Sequence, residues 1–250
     1  MRTCRHHVDT DRARGWQYWP VSQYVLPLVV RIERATPPRR TDALEAAALA
    51  VLRMVNDHRS GGEGEWAEAV RGWESHGIRK VVRRARGAEW TRVLQLPGET
   101  VTAGTAAVRV HPPIPLDGWP KDLSRLQVSG TDLDDPEPPG PAGAPCVLWI
   151  NPHLEMTAGK AMAQAGHAAQ LAWWATTPSD RAAWAETGFA VSVRTASPYD
   201  WAKLAEADLP AVRDAGFTEI APGSVTVVAT APWLREGGFR PAGRGPLRNT

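Results

Sequence analysis

Apolar runs alternate with Ala-rich and polar segments along the chain, and this pattern predicts an alternation of strands and helices. An apolar run at 146–150 is followed by a short polar turn ending in Gly159 and by an Ala-rich segment of strong helix formers. This order is typical of a strand, a turn and a helix. The same order occurs earlier, where β-rich residues 24–33 precede a polar start signal and a predicted helix over 43–55.

The remaining elements predict that the two halves are similar. The first half continues with a short helix, a strand, a helix and a strand, predicted at 65–73, 78–84, 87–94 and 105–110. An ungapped offset of 120 places Arg40 against Lys160, and an offset of 119 aligns the last strands of the two halves. We therefore predict an α/β protein with two similar lobes, each a small mixed β-sheet flanked by helices, that arose by internal duplication. The alternative is that two α/β domains share this order by chance.

Composition suggests how the chain is divided. Residues 131–145 are dense in Asp, Pro and Gly, so we predict a linker that sustains neither a helix nor a β-ladder. The predicted segments are a flexible polar leader, a first lobe, the linker, a second lobe and a flexible basic tail, at 1–20, 21–130, 131–145, 146–234 and 235–250.

The charge balance restricts any nucleic-acid surface to a local patch. The chain has 29 Lys and Arg residues against 27 Asp and Glu residues, a net charge of +2. One reading of the densest basic run is a phosphate-contacting patch, and the other is a solvated strand edge that limits aggregation. That run consists of Arg79, Lys80, Arg83, Arg84 and Arg86.

Cysteine usage and hydropathy indicate the compartment. Cys4 and Cys146 lie far apart, and their spacing suits neither a disulfide framework nor a metal site. Residues 1–20 are charged and lack the apolar core of a signal peptide, and no window reaches the ~20 apolar residues of a membrane span. We expect a cytoplasmic protein without a membrane segment.

One face of the predicted second-half helix combines three polar groups. Lys160, Gln164 and His167 are spaced at i, i+4 and i+7, which aligns an ammonium, an amide and an imidazole. Lys160 stands in the first turn, where helix N–H groups favour anions, and an imidazole suits proton transfer near neutral pH. This combination indicates a site. The alternative is a solvated lysine and a histidine that is satisfied by a neighbour.

Two stretches in this half carry a family resemblance. Residues 156–169, Met-Thr-Ala-Gly-Lys-Ala-Met-Ala-Gln-Ala-Gly-His-Ala-Ala, resemble the type 2 peptidyl-tRNA hydrolase signature, a Met-x-x-Gly-Lys turn followed by a helix reading Ala-Gln-x-x-His-Ala. The second signature of that family, Asp-Ala-Gly-x-Thr followed by Ala-Pro-Gly-Ser, is matched at 214–224. The resemblance extends over about residues 145–232.

The resemblance implies hydrolysis of the ester bond of peptidyl-tRNA, with neither a cofactor nor a metal ion. Lys160 would bind a phosphate or the developing oxyanion, and either His167 or Asp214 would serve as the general base. Thr218 and Thr226 would position the ester. The implied catalytic residues are Lys160, His167, Asp214 and Thr218, and the implied substrate-binding residues are Gln164, Thr226 and Gly159.

The first half lacks these reactive groups. Leu44 and Ala47 align with Gln164 and His167, and the same comparison places Gln95 and Glu99 against Asp214 and Thr218. Members of the resembling family commonly pair as homodimers, so we expect either a monomer that forms an intramolecular pseudo-dimer or a homodimer.

The second half also departs from the family pattern. Asn151-Pro152-His153 replaces a charged Arg-x-Asp, Phe217 replaces an Arg, and Glu219 replaces a Gln. A catalytically inactive RNA-binding or protein-binding member of the family is therefore the alternative function.

Overall fold

The computed structural model describes residues 23–214 and 220–234, which form two β-sheets, one from each half of the sequence. The N-terminal lobe contains β1 (Tyr24–Arg31), α1 (Arg40–Asn56), α2 (Ala67–Ser75), β2 (Lys80–Ala85), α3 (Gly87–Val93), β3 (Glu99–Ala103), β4 (Ala106–Val110), β5 (Ile114–Pro115) and α4 (Lys121–Ser124). The C-terminal lobe contains β6 (Cys146–Ile150), α5 (Ala158–Ala175), α6 (Pro178–Glu186), β7 (Val191–Thr195), α7 (Pro198–Glu206), β8 (Ala211–Arg213) and β9 (Val225–Thr230).

The two sheets share one strand order and one set of strand directions. In the N-terminal lobe the order is β2-β1-β4-β3, with β1 parallel to β2 and antiparallel to β4, and with β5 added beside β1. In the C-terminal lobe the order is β7-β6-β9-β8, with β6 parallel to β7 and antiparallel to β9. The predicted class, α/β with two similar lobes that each contain a small mixed sheet flanked by helices, is confirmed.

The elements predicted for the first half are present, and the structure adds elements that were not predicted, notably β3. This strand reads Glu-Thr-Val-Thr-Ala and buries Val101 alone, so its sequence has little of the apolar content that marks a strand. Gly104, at φ 50°, and Thr105 connect β3 to β4, whereas β8 and β9 are separated by residues 214–224. Asp214 directly follows β8, and Gly104 directly follows β3, the equivalent strand of the first lobe, so Gly104 is the structural counterpart of Asp214. The predicted alignment of Asp214 with Gln95 is wrong, because the longer connection in the second lobe shifts the offset.

The lobes are joined through their long helices. α1 packs along α5, and buried residues of both lobes form one continuous apolar cluster that includes Val51 and Ala165. Small side chains let the helices approach closely: a Cβ atom added at Gly166 would lie 2.9 Å from Val51 Cγ2. α5 also contacts β2 of the other lobe, and α1 contacts β7.

The predicted linker, residues 131–145, contains neither a helix nor a strand. It is nevertheless packed against both lobes, because Thr131 and Leu133 are buried and the Asp135 carboxylate accepts hydrogen bonds from Thr41. In the part of the chain that the structure describes, every helix falls short of the length and apolar character that a membrane crossing needs.

Candidate active site

The start of α5 places Lys160 at one end of the second sheet. The Thr157 hydroxyl accepts the Lys160 N–H at 3.3 Å and so caps the helix, as expected for a threonine in an extended conformation before the first turn. Lys160 therefore stands in the first turn, where the unpaired N–H groups give the helix end a partial positive charge. The predicted strand, turn and helix are thus present in the order that the pattern indicated.

Lys160 and Asp214 form a salt bridge between Nζ and Oδ2, although 54 residues separate them in the sequence. The Asp214 side chain is only 3% exposed and the Lys160 side chain 14%, so solvent approaches this pair from the lysine side. In such surroundings the pair is screened little by water, and removal of one partner takes a close opposite charge away from the other.

Gln164 connects Asp214 to β9. Its Nε2 donates to Asp214 Oδ2 at 3.1 Å, and its Oε1 accepts the Thr226 hydroxyl at 2.8 Å. Because the carboxylate requires a donor, the orientation of the amide follows from this network. Thr226 is fully buried, and its hydroxyl also lies 3.3 Å from the Val212 carbonyl. The hydroxyl is therefore engaged in orienting Gln164.

The backbone fixes Asp214 where β8 ends. The Asp214 N–H donates to the Ser224 carbonyl at 2.9 Å, and the Asp214 carbonyl accepts the Gly223 N–H at 2.7 Å. These bonds close the connection between β8 and β9 at its two ends. Thr218, implied as a catalytic residue, lies outside the described residues, as do Phe217 and Glu219.

His167 faces the N-terminal lobe. Its Nδ1 lies 3.4 Å from Lys80 Nζ, which donates to Gln170 Oε1 at 2.7 Å. Burial, and then the charges of Lys80 and Lys160, hold the pKa of His167 well below its ordinary value. Burial also lowers the pKa of Lys80 strongly, against the opposing charge of Glu74. The structure thus divides the predicted polar face, with Lys160 and Gln164 toward Asp214 and His167 toward the lobe interface.

Gly159 was implied as a substrate-binding residue, but its N–H group is already engaged. It donates to the Thr131 hydroxyl at 2.9 Å, and Thr131 is 2% exposed. Thr131 lies in the predicted linker, and its contact with Gly159 was not predicted. No local pattern could have revealed it, because the partners are 28 residues apart and meet through the packing of the linker on α5.

The predicted basic patch is not one exposed surface. The Lys80 side chain is buried, and Arg83 and Arg84 donate to backbone carbonyls of residues 124–129. Arg79 remains exposed. β2 is an edge strand, and part of its edge is covered by a bridge between Arg84 and Gln127. The pattern showed the positive charges, but it could not show that the following segment folds back onto them.

The C-terminal lobe is thus a mixed α/β domain with a lysine–carboxylate pair at the N-terminus of its long helix. Residues 145–237 match the family model described as peptidyl-tRNA hydrolase PTH2, a hydrolase family. The resemblance inferred from the two signatures is therefore confirmed for the C-terminal part, and the first lobe lies outside the match. No curated protein matches the chain.

Proposed function

We propose that the chain hydrolyses the ester bond of peptidyl-tRNA and releases the peptide and free tRNA. The observation that carries this proposal is the salt bridge between Lys160 and Asp214 at the start of α5, within the region that matches the hydrolase family. A site for ester hydrolysis needs an activated water and a stabilised oxyanion, and a carboxylate beside an ammonium provides both.

In the proposed mechanism the two charged groups have separate roles. A water oxygen attacks the ester carbonyl carbon while the Asp214 carboxylate accepts a water proton. The Lys160 ammonium, assisted by the positive end of α5, stabilises the oxyanion of the tetrahedral intermediate. The bond from the carbonyl carbon to the ribose oxygen then breaks. The ribose oxygen takes the proton back, which leaves a free peptide carboxyl and a tRNA hydroxyl.

Of the two candidates for the general base, we favour Asp214 over His167. Asp214 contacts Lys160 directly, whereas the imidazole of His167 lies 3.4 Å from Lys80 of the other lobe. The lowered pKa of His167 also makes it a weaker base than an ordinary histidine. Gln164 and Thr226 orient the carboxylate in this scheme, and Thr218 keeps its predicted role of positioning the ester.

The decisive experiment is hydrolysis of a defined peptidyl-tRNA by wild type, Lys160→Ala and Asp214→Asn. We expect both variants to lose roughly 10²-fold or more in kcat/KM, the usual size of an acid–base or oxyanion contribution. Lys203→Ala is a matched control, because Lys203 lies on α7 of the same lobe with its Nζ 4.2 Å from the Tyr199 ring centre. Thermal unfolding of each variant confirms that it is folded. Full turnover in both site variants would refute the proposal.

A specific observation favours the alternative, a catalytically inactive binding member of the family. Asn151, which replaces a charged family residue, is occupied in holding the turn after β6: its Nδ2 donates to the Val225 carbonyl and its Oδ1 accepts the His153 N–H, both at 2.8 Å. Both polar atoms of the Asn151 amide are thus already engaged within the chain. This alternative predicts salt-sensitive tRNA binding and no turnover of peptidyl-tRNA at any enzyme concentration.

We also propose that the two lobes arose by duplication, that they form an intramolecular pseudo-dimer and that the chain is a monomer. α1 and α5 follow equivalent strands, and each helix contacts the edge strand of the opposite lobe, β7 and β2 respectively. Reciprocal contacts of this kind characterise a two-fold interface. Light scattering on a sizing column should give the mass of one chain, and twice that mass would favour the homodimer. Since peptidyl-tRNA arises in translation, the proposed location is the cytoplasm.

A further inference from the structure

The turn between β6 and α5 is held by groups from outside the C-terminal lobe. The Gly159 N–H donates to Thr131 Oγ1 of the linker at 2.9 Å. The Met156 carbonyl accepts Nη2 of Arg40, in the first turn of α1, at 3.2 Å. Two bonds from two other segments thus fix the end of this turn and the first residues of α5, which lead into Lys160.

The contact with Thr131 is closely fitted. Thr131 is 2% exposed, and a Cβ atom added at Gly159 would lie 2.7 Å from its Oγ1. A side chain at position 159 would therefore displace the hydroxyl that satisfies the buried N–H group. Residue 159 is therefore a glycine in this chain because the linker approaches its backbone closely.

The linker also fixes the first turn of α1. The Asp134 carbonyl accepts the Arg40 N–H at 3.1 Å, and the Asp135 carboxylate accepts the Thr41 N–H at 3.0 Å and its hydroxyl at 2.6 Å. Leu133, between these contacts and Thr131, is 4% exposed and belongs to the shared apolar cluster. Residues 131–135 therefore tie the first turns of the two equivalent helices together.

We infer that Thr131 and Arg40 are positioning residues that set the place of Lys160 relative to Asp214. Asp214 is fixed by the backbone at the end of β8, so a shift of the turn would change the geometry of the salt bridge from the lysine side. The expected change in kcat rests on the proposed function, whereas the expected change in the rigidity of the turn does not. Catalytic geometry is sensitive to displacements of about 1 Å, which can cost on the order of 10²-fold in rate.

The first test compares Thr131→Val with Thr131→Ser. Valine keeps the shape but removes the acceptor for Gly159, so we expect kcat to fall about tenfold with KM within about twofold of wild type. Serine keeps the acceptor and should restore kcat. Thr176→Val is the matched control, because Thr176 is a buried threonine at the opposite end of α5 whose hydroxyl donates to the Ala172 carbonyl at 2.7 Å. It should lower stability and leave kcat unchanged.

A second readout is independent of turnover. We expect amide hydrogen exchange in residues 156–161 to be faster in Thr131→Val than in wild type, Thr131→Ser or Thr176→Val, because the buried N–H of Gly159 loses its acceptor. Arg40→Met removes the other bond and should also speed exchange in these residues, so it replaces Thr131→Val if that variant does not fold.

The two readouts separate this inference from the proposed function. Unchanged exchange in both Thr131→Val and Arg40→Met overturns the inference, as does a kcat loss in Thr176→Val equal to that in Thr131→Val. A folded wild-type chain without turnover contradicts the proposed function, and the exchange measurement alone then decides the inference.

Discussion

The first turns of α1 and α5 hold equivalent places in two sheets of one strand order, but the faces of these helices carry different chemistry. In α1, Leu44 and Ala47 are buried in the apolar cluster. In α5, the aligned positions hold Gln164, which donates to Asp214, and His167, which faces Lys80. The fold therefore tolerates either an apolar or a polar helix face, provided that each polar group finds a partner.

The second difference lies in the connection between the last two strands. Gly104 and Thr105 join β3 to β4, and the Thr105 N–H and hydroxyl both donate to Asp42 at 2.7 Å. Residues 214–224 join β8 to β9 and begin with the carboxylate that pairs with Lys160. The buried strands preserve the topology of both lobes, whereas the candidate site depends on one longer connection and on the residues of one helix face.

The strongest test of this contrast exchanges the residue types at one pair of equivalent positions, residue 44 in α1 and residue 164 in α5. Leu44 is 1% exposed among apolar neighbours, so Leu44→Gln buries an amide without its partners and should cost about 3 kcal/mol of the free energy of unfolding. Gln164→Leu removes a donor from Asp214 and an acceptor from Thr226 and should cost about 1–2 kcal/mol. Chemical denaturation measures both values.

Activity provides the control for the same pair of variants. Gln164→Leu should lower turnover of peptidyl-tRNA by roughly tenfold, because the carboxylate loses an orienting bond. Leu44→Gln should leave kcat unchanged under conditions in which it remains folded. If Leu44→Gln were as stable as wild type, the surroundings of residue 44 would contain a polar partner for the amide. The contrast between the two helix faces would then be wrong.

These contacts show how far sequence reasoning extends. Periodicity and start signals predicted β1, α1, β6 and α5, because the information for these elements is local. The family signatures implied that Lys160 and Asp214 both belong to the site, but the salt bridge between them was not predicted, since nothing in their spacing brings them together. The contacts of His167 with Lys80, across 87 residues, and of Gly159 with Thr131 depend on how the lobes and linker pack. No periodic pattern encodes such packing.

The next largest expected effect is the pH dependence of stability, to which one buried histidine in each lobe contributes. Burial, with Arg109 nearby and against a hydrogen bond to Pro97, lowers the pKa of His111 to about 4, and the pKa of His167 is also held well below its usual value. Below about pH 6.5 the unfolded chain takes up protons that these folded imidazoles do not, so stability falls with decreasing pH. Each histidine contributes at most about 1.4 kcal/mol per pH unit in this range.

The variants His111→Asn and His167→Asn assign this pH dependence to the lobes. Asparagine does not titrate in this range, so each substitution should remove one part of the slope between pH 6.5 and 5. Unfolding free energies measured by denaturant titration across this range give the slope directly. If both variants kept the wild-type slope, neither imidazole would be excluded from protonation in the folded state, and the burial argument would be wrong.

The smallest expected effect concerns how the two equivalent helices are capped. α5 is capped by its own Thr157, at 3.3 Å, whereas α1 lacks a side-chain bond from Arg39 and is capped by Asp135 of the linker, which accepts both the Thr41 N–H and its hydroxyl. Asp135→Ala should cost about 1 kcal/mol and Thr157→Ala about 0.5 kcal/mol, because the Thr157 bond is the longer one. Asp135→Asn and Thr157→Ser retain the acceptors and should stay near wild type in chemical denaturation. A larger loss in Thr157→Ala than in Asp135→Ala would show that a cap supplied by the linker stabilises its helix less than one supplied from within the same turn.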